Sequence, residues 1–240
     1  MKIIEKLTAK SRDNFGNPSP VIAFLGDSVT QGCFEIYRDG ALLRTVFDTE
    51  NGYVEKTKQI LRMLYPETSV SVINAGINGG SAQNGLLRLE RDVLCHDPDL
   101  VVVCFGLNDC NDDSVEAADY KASLKAIFAA IHAAGKEVIF MTPNMMNTYL
   151  PHTVTDDYAK HLGQLFAKRQ TSGYFDGFIA AAREACVEEG VPVCDCYKRW
   201  CKMYAQGVDT TALLSNGLNH PTREMHALFA WELVHTMFDN

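Results

Sequence analysis

The chain reads as an α/β protein: one five-stranded parallel sheet with helices on both faces, in a single domain spanning residues 1–240. Two observations predict this. Short apolar runs at residues 21–25, 69–75, 99–105, 136–142 and 191–195 alternate with stretches of helical period, as successive βαβ units do. No repeat, low-complexity tract or linker interrupts them, and a domain of this length buries roughly 70 % of its unfolded surface, enough for a core without staples.

Residues 1–20 form an amphipathic lead-in that ends in a Gly/Asn/Pro/Ser turn cluster at 14–20. The run VIAFL at 21–25 suits a strand buried on both faces, broken by Gly26-Asp27-Ser28. Residues 33–50 lack a clear period, contain Arg38-Asp39-Gly40 as a turn, and read as a surface excursion beside that strand end. A helix is expected over 53–64, stopped by Pro66, and then a second strand, SVSVINA, at 69–75. The loop after it, 74–81, holds three glycines, which permit positive φ and bring main-chain N–H groups close to a bound group.

A helix over 83–95 leads to the third strand, DLVVVCF, which ends in Gly106-Leu107-Asn108-Asp109. A helix over 115–134, the strand KEVIFMT and Pro143 follow. Residues 144–173 carry little pattern; Met145, Met146, Tyr149 and Phe166 there read as core before pocket wall or lid. A helix over 174–189, a fifth strand, and helices near 197–204 and 224–238 close the chain.

Composition bounds the function. A net charge of −8 disfavours a nucleic-acid partner, whose phosphates it repels. Neither a signal-peptide core nor a run of membrane-spanning length is present, so a cytoplasmic protein with no membrane partner is expected. The eight cysteines sit mostly within apolar segments and read as small buried hydrophobes. Cys194, Asp195, Cys196 and Cys201 lack paired C-x-x-C spacing and a nearby histidine, so no metal and no cofactor are expected. Neither G-x-G-x-x-G nor a P-loop follows any strand, which disfavours a nucleotide binder.

Three strands end in special loops, and a parallel sheet places such ends along one edge. Ser28 has two readings there, helix cap or nucleophile. Acyl transfer needs a nucleophile and donors aimed at a developing oxyanion, and the Ser28 N–H, the Gly79 N–H and the Asn108 carboxamide fit that need. Among seven histidines, His220 alone is held in a polar turn, Asn216-Gly217-Leu218-Asn219-His220-Pro221, directly before a helix, a placement suited to a general base.

Taken together and in order, Gly26-Asp27-Ser28, the glycine block at 74–81, Gly106-Leu107-Asn108-Asp109 and the block ending in His220-Pro221 resemble the four signature blocks of SGNH (GDSL-type) esterases and lipases. The resemblance implies a flavodoxin-like three-layer sandwich, with Ser28 as nucleophile, Gly79 N–H and Asn108 as oxyanion donors, and His220 as base. It implies hydrolysis of a small ester, with an acetyl ester of a carbohydrate or related metabolite as the expected substrate. Lysophospholipase or thioesterase chemistry, or a binding domain without activity, are the alternatives.

One block departs from the pattern. The family carries Asp three residues before its histidine; Gly217 stands there, with Asn216 one residue further back. Three outcomes stay open: a main-chain carbonyl within 216–218 holds the His220 Nδ1 proton, Asp209 folds in to do so, or the site is weak or inactive.

Overall fold

The computed structural model describes residues 1–240. Helix α1 (Lys2–Arg12) precedes strand β1 (Val21–Gly26), which runs into the single turn α2 (Ser28–Gln31). A hairpin of β2 (Cys33–Asp39) and β3 (Leu42–Phe47) comes next, then α3 (Tyr53–Leu64), β4 (Ser71–Gly76), α4 (Ala82–Asp92), β5 (Leu100–Cys104), α5 (Leu107–Asn111), α6 (Ala117–Ala133) and β6 (Glu137–Met141). The chain finishes with α7 (Asp157–Thr171), α8 (Tyr174–Glu189), β7 (Val193–Cys194), α9 (Cys196–Ala205) and α10 (Met225–Asp239).

The five expected strands form one sheet in the order β4-β1-β5-β6-β7, with every neighbouring pair parallel. Strands β1 and β5 lie inside it, and Ile22, Ala23, Phe24, Leu25 and the three valines 101, 102 and 103 are fully buried, as their unbroken apolar runs require. Each of these side chains larger than alanine contributes about 1.5–3 kcal/mol by leaving water. One helical layer packs α3 against α10 and β4, and the other packs α6 against α4 and α8. No helix is long and apolar enough to cross a membrane.

Register decides what the sheet edge presents. Gly26 pairs with Gly76 on one side and with Cys104 on the other, so β4, β1 and β5 end at one level. The loops that follow them therefore leave the sheet side by side. Gly76 is needed there, because a Cβ would stand 2.3 Å from the Gln31 nitrogen, and the close approach of α2 to the end of β4 would be lost.

The structure differs from the sequence reading in two stretches. Residues 33–50, read as a surface excursion, are largely exposed but pair as an antiparallel hairpin that the sequence reading did not include. Only Cys33 and Phe34 of β2 are buried and β3 is nowhere fully buried, so no two-residue alternation marks the strands. Residues 144–173 contain helix α7, preceded by an extended segment in which Asn144, Met145, Met146 and Asn147 are buried. Phe166 is buried as well, so these methionines and this phenylalanine are core, while Tyr149 remains 47 % exposed.

Candidate active site

Strand β1 delivers Ser28 to the sheet edge, and the structure separates the two readings of this residue by the bonds it makes. The cap of α2 is Asp27, whose Oδ1 accepts the Val29 N–H at 2.9 Å. The Ser28 hydroxyl is left for another partner, His220 Nε2, at 3.0 Å. Both residues are buried, at 3 % and 5 % exposure, although 192 positions separate them in the chain.

On the far side of the ring, His220 Nδ1 lies 2.8 Å from the Phe34 carbonyl oxygen. A carbonyl only accepts, so Nδ1 carries the proton and donates it, and Nε2 presents its lone pair to the Ser28 hydroxyl. Burial pushes the His220 pKa down to about 4, against smaller upward pulls from the Phe34 carbonyl and the Glu35 charge. The imidazole is thus neutral at ordinary pH, the form a base requires.

The orienting carbonyl comes from β2, not from residues 216–218. Nor is it replaced by Asp209, whose carboxylate accepts from Tyr149 Oη at 2.7 Å and from the Ala212 N–H. Asn216 has a different task from holding the ring. Its Oδ1 accepts the N–H groups of Leu218, Asn219 and His220, each at 3.0 Å, and this single oxygen shapes the turn. Asn144 Nδ2 donates to the Asn219 carbonyl and the Asn147 N–H to the Leu218 carbonyl, both at 2.8 Å, which fastens the turn to the segment after β6.

The glycine loop and Asn108 meet one another beside this pair. Asn108 Nδ2 donates one proton to the Gly80 carbonyl at 2.9 Å and retains a second. Gly79 has φ +76°, open to glycine without strain, and its N–H has no partner within the chain. The Asn78 N–H is held by Gln31 Oε1 of α2 at 2.6 Å, which ties this loop to the turn carrying Ser28. Arg88 of α4 braces both strand ends from below, donating to the carbonyls of Ala75 and, at 2.8 Å, Gly26.

Two carboxyls and a second imidazole lie buried around the site. Asp109 Oδ1 accepts the Ala82 N–H at 2.8 Å, while Oδ2 of Asp27 and Oδ2 of Asp109 have no partner. Burial raises Asp27 to about 7 and Asp109 to about 6. His226 of α10 accepts the Tyr53 N–H on Nδ1 at 2.9 Å and packs its ring 4.8 Å from that of Phe34; burial lowers it to about 3. No three His, Cys, Asp or Glu side chains converge in a way that would hold a metal ion.

A cavity of about 640 Å³ borders the His220 turn, between β2, residues 149–156 and residues 211–217; Ser28 is not in its lining. Its wall carries Tyr37, Tyr149, Thr211, Ser215 and Asn216 beside Ile36 and Leu43.

All four residues singled out in the sequence lie at this edge: Ser28 and His220 share a hydrogen bond, and Asn108 is bonded to the loop that contains Gly79. Sequence reasoning missed Phe34, Asn144 and Asn147. Phe34 contributes a main-chain atom, for which the sequence carries no side-chain signal.

Residues 24–228 match the family model described as GDSL-like Lipase/Acylhydrolase. An acetylxylan esterase of Geobacillus stearothermophilus is 30 % identical over 131 residues, an alignment that spans 51 % of this chain and 58 % of that protein. Among solved structures, an acetylxylan esterase from Geobacillus stearothermophilus superposes with a TM-score of 0.67 at 22 % identity, covering 91 % of this chain and 94 % of that one. The lipase/acylhydrolase from Enterococcus faecalis does so with a TM-score of 0.65 at 25 % identity, covering 91 % and 95 %. With the match extending over most of the sheet, from β1 to the start of α10, the chain belongs to the GDSL-like lipase/acylhydrolase family.

Proposed function

We propose that the protein hydrolyses a small ester, an acetyl ester of a carbohydrate or related metabolite, through an acyl-enzyme on Ser28. The observation that carries this is the chain of contacts from Ser28 Oγ through His220 to the Phe34 carbonyl. Ser28 Oγ attacks the ester carbonyl as His220 Nε2 takes its proton, and the imidazolium then returns that proton to the departing alcohol. Water repeats the sequence in reverse roles and frees the acid. The Gly79 N–H, the spare Asn108 Nδ2 proton and the Ser28 N–H, which has no acceptor within α2, serve the oxyanion. No step calls for a metal or a cofactor.

The acetyl preference and the carbohydrate rest on likeness to the acetylxylan esterases and on the hydroxyl-rich cavity that borders the turn before His220, whose charged pair Arg38 and Asp156 is internally neutralised. The test is a panel of p-nitrophenyl acetate, butyrate and octanoate beside acetylated xylo-oligosaccharides. A kcat/KM that falls with acyl length, together with release of acetate from the sugar, is expected. A maximum at octanoate would assign the site to longer acyl chains, and turnover of acetate without any sugar ester would reject the carbohydrate.

Asn108→Ala is expected to lower kcat about 10²- to 10³-fold with little change in KM, since the bond from its carboxamide strengthens only as the oxyanion forms. Steady-state kinetics on p-nitrophenyl acetate check this, and an effect confined to KM would move Asn108 to ground-state binding.

A further inference from the structure

The hairpin that supplies the Phe34 carbonyl is irregular at that point. Cys33 pairs with Phe47 and Ile36 with Thr45, so Phe34 and Glu35 together face the single residue Val46, a β-bulge. A bulge releases main-chain groups from the ladder and re-aims them. Here the released carbonyl is the one that His220 uses.

Something must hold that bulge against the histidine turn, and one side chain touches both of its residues. Arg223, three residues beyond His220, places its guanidinium 4.3 Å from the centre of the Phe34 ring. Its Nη1 and Nη2 donate to the two Glu35 carboxylate oxygens at 2.5 and 3.1 Å, and its Nε donates to Asp48 Oδ2 at 2.6 Å. Asp48 follows β3 directly, and its N–H bonds the Gly32 carbonyl at 2.8 Å, at the base of the hairpin. The planar fork of arginine thus stacks on one bulge residue, pairs with the next and anchors to the opposite strand end, which an ammonium group could not do at once. With the chain held on one side by His220 and on the other by Arg223, the hairpin is located relative to the imidazole.

We propose that the bulge at Phe34 and Glu35 and the Arg223 clamp together replace the acid that the family carries before its histidine, with Arg223 as a positioning residue for His220. A carbonyl in this place keeps the tautomer that an amide side chain would not guarantee. The role rests on His220 being the base, and the experiment separates the two claims.

The test compares wild type with Arg223→Ala, Arg223→Lys and Glu35→Gln, by kinetics on p-nitrophenyl acetate and by proton NMR of the His220 Nδ1–H, assigned through its absence in His220→Ala. Arg223→Ala is expected to lower kcat about 10- to 100-fold with KM changed less than about twofold, as for a catalytic group misplaced by about 1 Å. The Nδ1–H resonance should move upfield or vanish through exchange with water. Arg223→Lys should recover part of both, and Glu35→Gln, which keeps the shape of the side chain, should show a smaller loss in the same direction. A folded Arg223→Ala protein with wild-type kcat and an unmoved resonance overturns the clamp. Should Arg223→Ala not fold, Glu35→Gln decides alone, and wild-type behaviour there overturns the proposal. Full activity in His220→Ala would reject instead the role of the histidine as base.

Discussion

Ser28→Ala is expected to lower kcat on an acetyl ester by about 10⁴- to 10⁶-fold while leaving the fold and its stability close to wild type. The size follows from removing the atom that forms the covalent intermediate, after which only oxyanion stabilisation and binding remain. The retained stability follows from the division of labour at α2. Asp27 caps the turn, so deleting the Ser28 hydroxyl removes no helix cap, and the substitution isolates chemistry from folding. Initial rates, a thermal melt and fluorophosphonate labelling read by mass spectrometry check it. Labelling at Ser28 in wild type and none in the variant is the expected pattern, and unchanged turnover in a folded variant would reject Ser28 as nucleophile.

His220→Ala should cost about as much as Ser28→Ala, and the double substitution no more than either alone, because nucleophile and base act as one unit. The pH dependence adds a finer test. A base works only when neutral, and burial holds His220 at about 4 rather than its ordinary 6.5, so kcat/KM should keep its plateau through mildly acidic solution and fall with an acid limb near pH 4. A limb near 6.5 would mean that the ring is hydrated when free of substrate. The missing acid is compatible with substantial activity on this account. In a serine protease, exchanging the acid for its amide lowers the rate about 10⁴-fold through the wrong tautomer, and the Phe34 carbonyl, an acceptor only, does not introduce that error.

The sheet and three of its loops were legible because the residues that form them are neighbours in sequence. Five apolar runs gave five strands, and Ser28, the glycine loop and Asn108 follow strand ends directly, where parallel pairing brings them to one edge. His220 was legible through its rigid turn. What orients it was not, for two reasons. The partner is a peptide oxygen, which every residue possesses, so no side chain at position 34 announces it. The bulge that frees that oxygen is a matter of pairing register between β2 and β3, and the hairpin buries too little of either strand to impose a readable alternation. The same holds for Asn216, where an amide in place of the family's acid suggested a failed triad; its carboxamide is engaged by three backbone donors, a use that sequence spacing does not distinguish from contact with the ring.

The buried carboxyls and imidazoles around the site carry a consequence for proton linkage. Asp27 and Asp109, raised from 3.8 to about 7 and about 6, stabilise the fold most below pH 3.8, and that contribution is lost as pH rises through their folded values. His220 and His226, lowered from 6.5 to about 4 and about 3, act in the opposite sense: their contribution is full above 6.5 and is lost as pH falls through the folded values. Between about pH 4 and 6 the native protein therefore holds two protons on carboxyls and none on these rings, whereas the unfolded chain holds two on the rings and none on these carboxyls. Folding in that window transfers protons from imidazole to carboxyl with no net uptake from these four groups, so their opposing slopes cancel. Any change in denaturant midpoint across pH 4.5 to 6 should accordingly come from other groups, such as Glu35 and Glu188, whose carboxylates Arg223 and the lysines 121 and 125 hold below their ordinary range. Asp27→Asn tests this directly: it removes one proton from the native state and none from the unfolded chain, so its curve should rise with pH by about one proton more than that of wild type, and an unchanged slope would show that Asp27 is ionised in the native state.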